Sequence, residues 1–398
     1  MPAAVAAVFA AFLKLGVTSF GGPIAHLGFF RDEFVGRRRW ETDRGYGELV
    51  ALSQFLPGPA SSQVGFAIGW RRAGLAGALA AFAAFTLPSA ALMVWAAASI
   101  DLVTGAALTG LVDGLKVVAV AVVAQAVWGM ARSLAPDRPR ATIALAAAVA
   151  ALLVGGVVGQ LGAIVGGAIA GVLWCRDRTV EPDAADAALP RVPRTAGIVS
   201  LVAFAVLLLG TPVLAALTGS ASIALFDAFF RSGALVFGGG HVVLPLLETA
   251  IVDTGWVDRD AFVTGYGAAQ ALPGPLFAFA AYLGALSDVG PGGVGGAAIA
   301  LVAIFLPGFL VLIGALPLWA ALRRRAWATG VVRGANAAVV GILAAALYDP
   351  VFTTAITRVD QFALALVGFV LLVAWRCQPW LVVIIGAAVG TATGAISG

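Results

Sequence analysis

Twice in this chain a Pro-Gly-Pro triplet falls inside an apolar run, at Pro57-Gly58-Pro59 and at Pro273-Gly274-Pro275. Proline lacks an N–H and clashes with the preceding turn, and glycine adds backbone freedom, so no helix continues through such a triplet. Each break follows a glutamine three residues ahead, Gln54 and Gln270, and the two sets stand 216 residues apart. Composition supplies the setting. With 61% of residues hydrophobic and 11% charged, against about a quarter charged in soluble domains, this is an all-α polytopic membrane protein. At about 20 residues per span, its 398 residues accommodate roughly ten to fourteen spans.

The triplets belong to a larger internal repeat. Gly16-Val-Thr-Ser-Phe-Gly-Gly22 aligns with Gly233-Ala-Leu-Val-Phe-Gly-Gly239 at an offset of 217, and Trp40 aligns with Trp256 at 216. Pro88 aligns with Pro307 at 219, which requires three inserted loop residues. Ordered tryptophan, glutamine and proline landmarks do not coincide by chance, even in a chain with 50 glycines. The division that follows is an N-terminal repeat over 1–175, a polar linker plus one unrepeated helix over 176–220, and a C-terminal repeat over 221–398.

If both Pro-Gly-Pro segments cross the membrane, each half has six spans and the unrepeated run adds one, giving about thirteen and an inverted second half. With the N-terminus inside, the charged loops at Arg71-Arg72, Arg132 to Arg140, Arg176 to Arg194, Arg323 to Arg325 and Arg376 are then cytoplasmic, as the positive-inside rule requires. One loop disagrees, because the arginines between Arg31 and Arg44 fall outside. If the triplets instead re-enter without crossing, each half has five spans and Arg323 to Arg325 are forced outside; thirteen is preferred. The N-terminal apolar run reads as a retained first span rather than a signal peptide. Trp70, Trp174, Trp319 and Trp375 read as interfacial anchors, and Cys175 and Cys377 carry no metal or disulfide pattern.

Inverted repeats with helices broken inside the membrane point to a secondary transporter with a midplane site. A broken helix exposes orphan N–H groups and a partial positive charge at its new N-terminus, and such ends bind anions. The candidate anion site comprises Ser19, Gly21 and Gly22, Gln54, Pro57, Gly58 and Pro59, with Ser61 and Ser62, and in the second half Gly238, Gly239, Gln270, Pro273, Gly274 and Pro275. Lys14 and Arg231 occupy equivalent positions, two residues before Gly16 and Gly233. They are read either as a shared cation pair on the anion or as snorkelling ends. His26 and His241 follow the glycine breaks, as proton-coupling groups or as packed histidines. Asp113 and Lys116 share a helix face and read as a structural pair. The second half lacks the hydroxyls, so an asymmetric site draws its polar lining from the first. No phosphate loop or metal-ligand cluster occurs, and the basic residues form no nucleic-acid face.

The Phe20-Gly21-Gly22-Pro23 segment, Phe30-Arg-Asp-Glu-Phe34, Trp40 and the Leu52-Ser-Gln-Phe-Leu-Pro-Gly-Pro59 run resemble the chromate ion transporter family in its two-domain form. Phe237-Gly238-Gly239 and Gln270-Ala-Leu-Pro-Gly-Pro275 echo them. The resemblance implies a multi-pass carrier of the bacterial inner membrane that expels chromate, with sulfate as its isosteric competitor, and confers chromate resistance. It implies no cofactor, no metal and no enzymatic step, and its partners are the anion and the lipid bilayer, with a homodimer as a compatible assembly. Two alternatives stay open: a carrier of the same fold for sulfate or an organic anion, and a membrane enzyme using His26 or His241 with Asp113.

Overall fold

A computed structural model describes residues 2–19, 22–99, 106–154, 156–175, 190, 192–236, 242–319 and 326–397. Gly21, Gly238, Gly239 and His241 lie outside the described residues, as do Arg323 to Arg325 and most of the polar linker. The described residues are helical with no strand. Five described helices are long and apolar enough to cross a membrane.

The first half opens with α1 (Pro2–Thr18) and α2 (Gly22–Arg31), the latter continuing into a π-helical turn, Asp32–Arg37. These arms fold back on each other around Ser19. The Phe12 ring lies 5.5 Å from that of Phe30 and 4.8 Å from that of Phe34, and Lys14 reaches Glu33 at 3.1 Å.

Helix α3 (Asp43–Phe55) starts where the Thr42 hydroxyl accepts from the Gly45 N–H, a side-chain cap for an orphan donor. It ends at the Pro57-Gly58-Pro59 break. Helix α4 (Ala60–Ser99) follows and is itself two arms, 60–72 and 75–99, because Ala73 and Gly74 leave helical geometry.

Where each Pro-Gly-Pro segment is expected from the sequence to run on as one span, the structure shows a chain that doubles back. Arg71 Nη1 lies 2.5 Å from Glu41 Oε2, and the Arg72 guanidinium lies 5.1 Å from the Trp40 ring centre. The start of α3 and the end of the short α4 arm are therefore neighbours. Each arm has 13 residues, about 20 Å at 1.5 Å per residue, too short to cross about 30 Å of hydrocarbon. The segment doubles back at the triplet as a helical hairpin.

Helices α5 (Ala106–Leu134), α6 (Arg138–Val154) and α7 (Gly156–Trp174) complete the first half. Helix α8 (Arg194–Thr218) is the unrepeated one; it is peripheral, packing on the helices Ala221–Ala234 and Gly293–Ala315, with Gly197 and Thr211 its buried residues.

The second half repeats the plan. Helices α9 (Ala221–Ala234) and α10 (Val243–Leu247), the latter continued by the π turn Glu248–Val252, form its first hairpin. Helix α11 (Arg259–Ala271), a short 3-10 turn at Leu276–Ala278 and α12 (Phe279–Leu286) form the second. Asp258 caps α11 as Thr42 caps α3. The return is again explicit: Tyr282 Oη donates to the Ala261 carbonyl at 3.0 Å, and the Asp288 N–H to the Trp256 carbonyl at 3.0 Å. Then come α13 (Gly293–Ala315), α14 (Ala326–Ala346), α15 (Val359–Val373) and α16 (Pro379–Ser397).

Packing between the halves is reciprocal. Helix α5 lies on α16 and α7 on α14, each through close glycine approaches such as Gly114 on Gly386 and Gly171 on Gly330. Small residues let backbones meet where lipid supplies no hydrophobic drive between helices. Two expected pairings change. Lys116 pairs with Asp260 of α11 at 3.0 Å, not with Asp113. Trp319 is buried, donating from Nε1 to Glu48 Oε2 at 3.2 Å, so a polar partner holds it inside the protein rather than at the lipid interface. Trp174 and Trp375 are exposed, as interfacial anchors are.

Candidate functional site at the hairpin tips

The four hairpin tips meet in two pairs, and each pair joins one half to the other. Gly58 donates its N–H to the carbonyl of Val236 at 2.7 Å, and Gly274 donates to the carbonyl of Ser19 at 2.9 Å. Gly58 and Gly274 are equivalent in the repeat, and so are Ser19 and Val236. The Pro-Gly-Pro tip of each half is thus bonded to the glycine-rich tip of the other.

Both glycines need to be glycine. Gly58 has φ +115° and Gly274 φ +97°, a region that excludes side chains on steric grounds. A Cβ on Gly58 would stand 2.8 Å from the Gly308 Cα, and one on Gly274 would stand 2.8 Å from Ser89 Oγ. Ser89 and Gly308 are themselves equivalent, each following the helix proline Pro88 or Pro307. Each tip therefore seats on the proline-bearing long helix of the opposite repeat.

The chemistry of the two junctions differs. At the Gly274 junction, Ser19 and Thr86 are fully or nearly fully buried with hydroxyls that meet no partner among the described residues. Ser89 Oγ donates to the Thr86 carbonyl at 3.0 Å. His26 is completely buried beside the Ser19 backbone, its ring edge-on to Phe85 at 5.2 Å, and neither ring nitrogen finds a partner at hydrogen-bond geometry among the described residues. Gln270 is buried against Tyr266, with Nε2 meeting no partner among the described residues.

At the Gly58 junction, Gln63 is the organising side chain. It is fully buried and donates from Nε2 to the carbonyls of Pro57 at 2.8 Å and Gly308 at 2.9 Å, leaving Oε1 without a partner among the described residues. Ser61 and Ser62 are buried, and the Ser62 hydroxyl also meets no partner among the described residues. The second-half equivalents of Ser19, Ser62, Gln63 and Thr86 are Val236, Ala278, Phe279 and Phe305.

Buried polar atoms are normally paired, because leaving one unmade costs about 1–3 kcal/mol. Here hydroxyl, amide and imidazole atoms without a partner among the described residues gather at the tips, donors except for Gln63 Oε1, together with the N-termini of α2 and the short α4 arm and their partial positive charge. Such a lining supplies donors to a desolvated anion.

The other expected site residues fall elsewhere. Gln54 is exposed, unlike Gln270. Lys14 is half exposed and bound to Glu33, a buried carboxylate also held by Arg37 at 2.8 Å and Arg38 at 2.7 Å. Arg231 pairs with Asp227 on its own helix at 2.9 Å. The two cations thus sit on the hairpin flanks, and the structure does not bring them together. Thr86 and Ser89 are the residues sequence reasoning missed; their only signal was their place on either side of Pro88. Among the described residues no three His, Cys, Asp or Glu side chains are grouped to hold a metal ion.

Comparison with known proteins gives a consistent answer. The family model described as chromate transporter matches the chain twice, over residues 6–223 and 223–391. A chromate transport protein from Pseudomonas aeruginosa is 31% identical over 96% of this chain and 90% of its own length. One from Cupriavidus metallidurans is 27% identical over 95% and 90%, and a probable chromate transport protein from Synechococcus elongatus is 27% identical over 84% and 82%. No solved structure matches the chain.

Proposed function

This chain belongs to the chromate transporter family, and we propose that it exports chromate across a bacterial inner membrane by alternating access, with sulfate as a competing tetrahedral dianion. The observation that carries this reading is the pair of reciprocal tip junctions, where equivalent breaks from two halves meet around unpaired donors. The anion sits there, between Ser19, Gly22 and the Pro57–Pro59 tip with Ser61 and Ser62 on one side and the Pro273–Pro275 tip with Gln270 on the other. Rocking one set of hairpins against the other opens it to alternate faces.

On this reading the halves are inverted. First-half hairpins enter from one face and second-half hairpins from the other, and nine helices cross: the long α4 arm, α5 to α8 and α13 to α16. The charge pattern supports it. Arg31 to Arg44, Arg71-Arg72, Arg132 to Arg140, the linker, Arg323 to Arg325 and Arg376 then share one face, which is the cytoplasmic one. The opposite face carries Glu248, Asp253, Asp258, Asp288 and Asp349. The exception at Arg31 to Arg44 disappears once the triplets re-enter.

An inside-negative potential favours outward movement of a dianion by about 4.6 kcal/mol per 100 mV, twice the single-charge figure. The test is uptake of radiolabelled chromate and sulfate into inverted membrane vesicles with an inside-positive potential. Chromate accumulates and sulfate competes with it. If sulfate moves at full rate while chromate neither moves nor competes, the chromate assignment is lost.

A further inference from the structure

The two halves treat one homologous cation differently. In the first, Lys14 reaches across its hairpin to Glu33. In the second, the equivalent cation Arg231 turns instead to Asp227, one helical turn back, with Nε 2.9 Å from both carboxylate oxygens. The acid that opens the second π turn, Glu248, faces Arg259 of α11 at 3.7 Å, which also reaches Asp253 at 3.4 Å and Asp349 at 3.3 Å.

This exchange leaves Arg231 with donors to spare. A guanidinium has five N–H groups; beyond Nε, Arg231 makes one long contact, Nη2 to the Leu208 carbonyl at 3.4 Å, and its other donors meet no acceptor among the described residues. Its side chain is 40% accessible, and it lines a cavity of about 360 Å³. The cavity lies between α9, the returning arm of its hairpin, Gln160 of α7 and Pro212 of α8. Its lining runs from the exposed Thr254 and the half-buried Trp256 to Leu235, the residue before Val236, whose carbonyl closes a tip junction. Helix α8 has no counterpart in the first half, so the Pro212 wall of the chamber is present on the second half alone.

We propose that this cavity is a second anion subsite, on the release path from the tips to the acidic face, in which Arg231 exchanges Asp227 for the departing dianion. It rests on the transport reading above. A planar guanidinium presents paired donors that match two oxygens of a tetrahedral oxyanion. Asp227, held by the Thr211 hydroxyl at 2.5 Å, competes for the same donors and repels the anion, so the subsite is weak and empties. Beyond it, three carboxylates gathered on Arg259 oppose re-entry.

The experiment is equilibrium binding of radiolabelled sulfate to the purified full-length protein, with wild type, Arg231→Gln, Arg231→Lys and Asp227→Asn compared at matched melting temperature. Wild type binds two sulfates per chain at saturation, and Arg231→Gln binds one. Arg231→Lys retains the second site with lower affinity, and Asp227→Asn tightens it about tenfold, because a like charge beside the anion is gone. A wild type that binds one sulfate, with an isotherm unchanged in Arg231→Gln and Asp227→Asn, overturns the subsite and leaves the transport reading standing. A wild type that binds none removes both. Should Arg231→Gln fail to fold, an Asp227→Asn isotherm identical to wild type is sufficient to reject the proposal. Loss of co-purified phospholipid in Arg231→Gln with sulfate binding intact assigns the cavity to lipid and likewise rejects it.

Discussion

At the scale of single residues, the junctions make a prediction that crosses the repeat. Gly274→Ala places a methyl 2.8 Å from Ser89 Oγ, in a backbone region that costs an L-residue about 1–2 kcal/mol. Gly58→Ala meets the backbone of Gly308 instead, and no side-chain trimming relieves that. Both single variants lose chromate transport. Adding Ser89→Gly to Gly274→Ala recovers part of the lost melting temperature, because the second-half equivalent of Ser89 is already glycine. Ser89→Gly gives Gly58→Ala no such relief. Thermal unfolding of the four proteins in detergent checks this, and equal behaviour of the two doubles refutes the reciprocal seating. The glycines and prolines of these tips were legible in the sequence because backbone geometry demands them in both halves. Gln63 and Thr86 were less legible as a pair of roles, since their equivalents are Phe279 and Phe305 and repetition gives no signal where the repeat has diverged.

At the scale of elements, the sequence located every break but not the direction taken after it. A Pro-Gly-Pro triplet ends a helix equally well whether the chain continues or turns back, so periodicity cannot distinguish the cases. The long-range contacts do: Glu41 with Arg71, Lys14 with Glu33, Trp256 with Asp288. The misfit of Arg31 to Arg44 with the positive-inside rule carried the same information in another form. It weighed too little because both hairpins of a half must re-enter together for Arg323 to Arg325 to stay inside. The consequence is measurable by cysteine labelling with a membrane-impermeant maleimide, in a background with Cys175 and Cys377 replaced by serine. Cysteines at Arg39 and Gly74 label from the same face, and cysteines at Gly255 and Gly290 label from the opposite one. A crossing Pro-Gly-Pro segment would put Arg39 and Gly74 on different faces.

At the scale of the whole molecule, the repeat preserves backbone while inverting charge, which on the proposed reading gives the carrier a direction. The π turn after each first hairpin carries an acid, Glu33 or Glu248. In the first half three cations, Lys14, Arg37 and Arg38, surround that one carboxylate. In the second, three carboxylates share the one cation Arg259. A dianion approaching the first mouth meets an excess of positive charge, and one approaching the second meets an excess of negative charge. Fields of this kind change encounter rates by about ten- to a thousandfold and are screened over a Debye length of about 10 Å at 0.1 M salt. Arg37→Gln combined with Arg38→Gln therefore raises the half-saturating chromate concentration at the basic face about tenfold at low salt, with little change in maximal rate, and the difference fades as salt rises. Asp253→Asn combined with Asp349→Asn leaves entry from that face unchanged and increases chromate flux in the reverse direction. Rates measured in right-side-out and inverted vesicles across a salt series separate the two effects. Equal salt dependence at both mouths would mean that the inverted charges have no part in direction, leaving the membrane potential to set it alone.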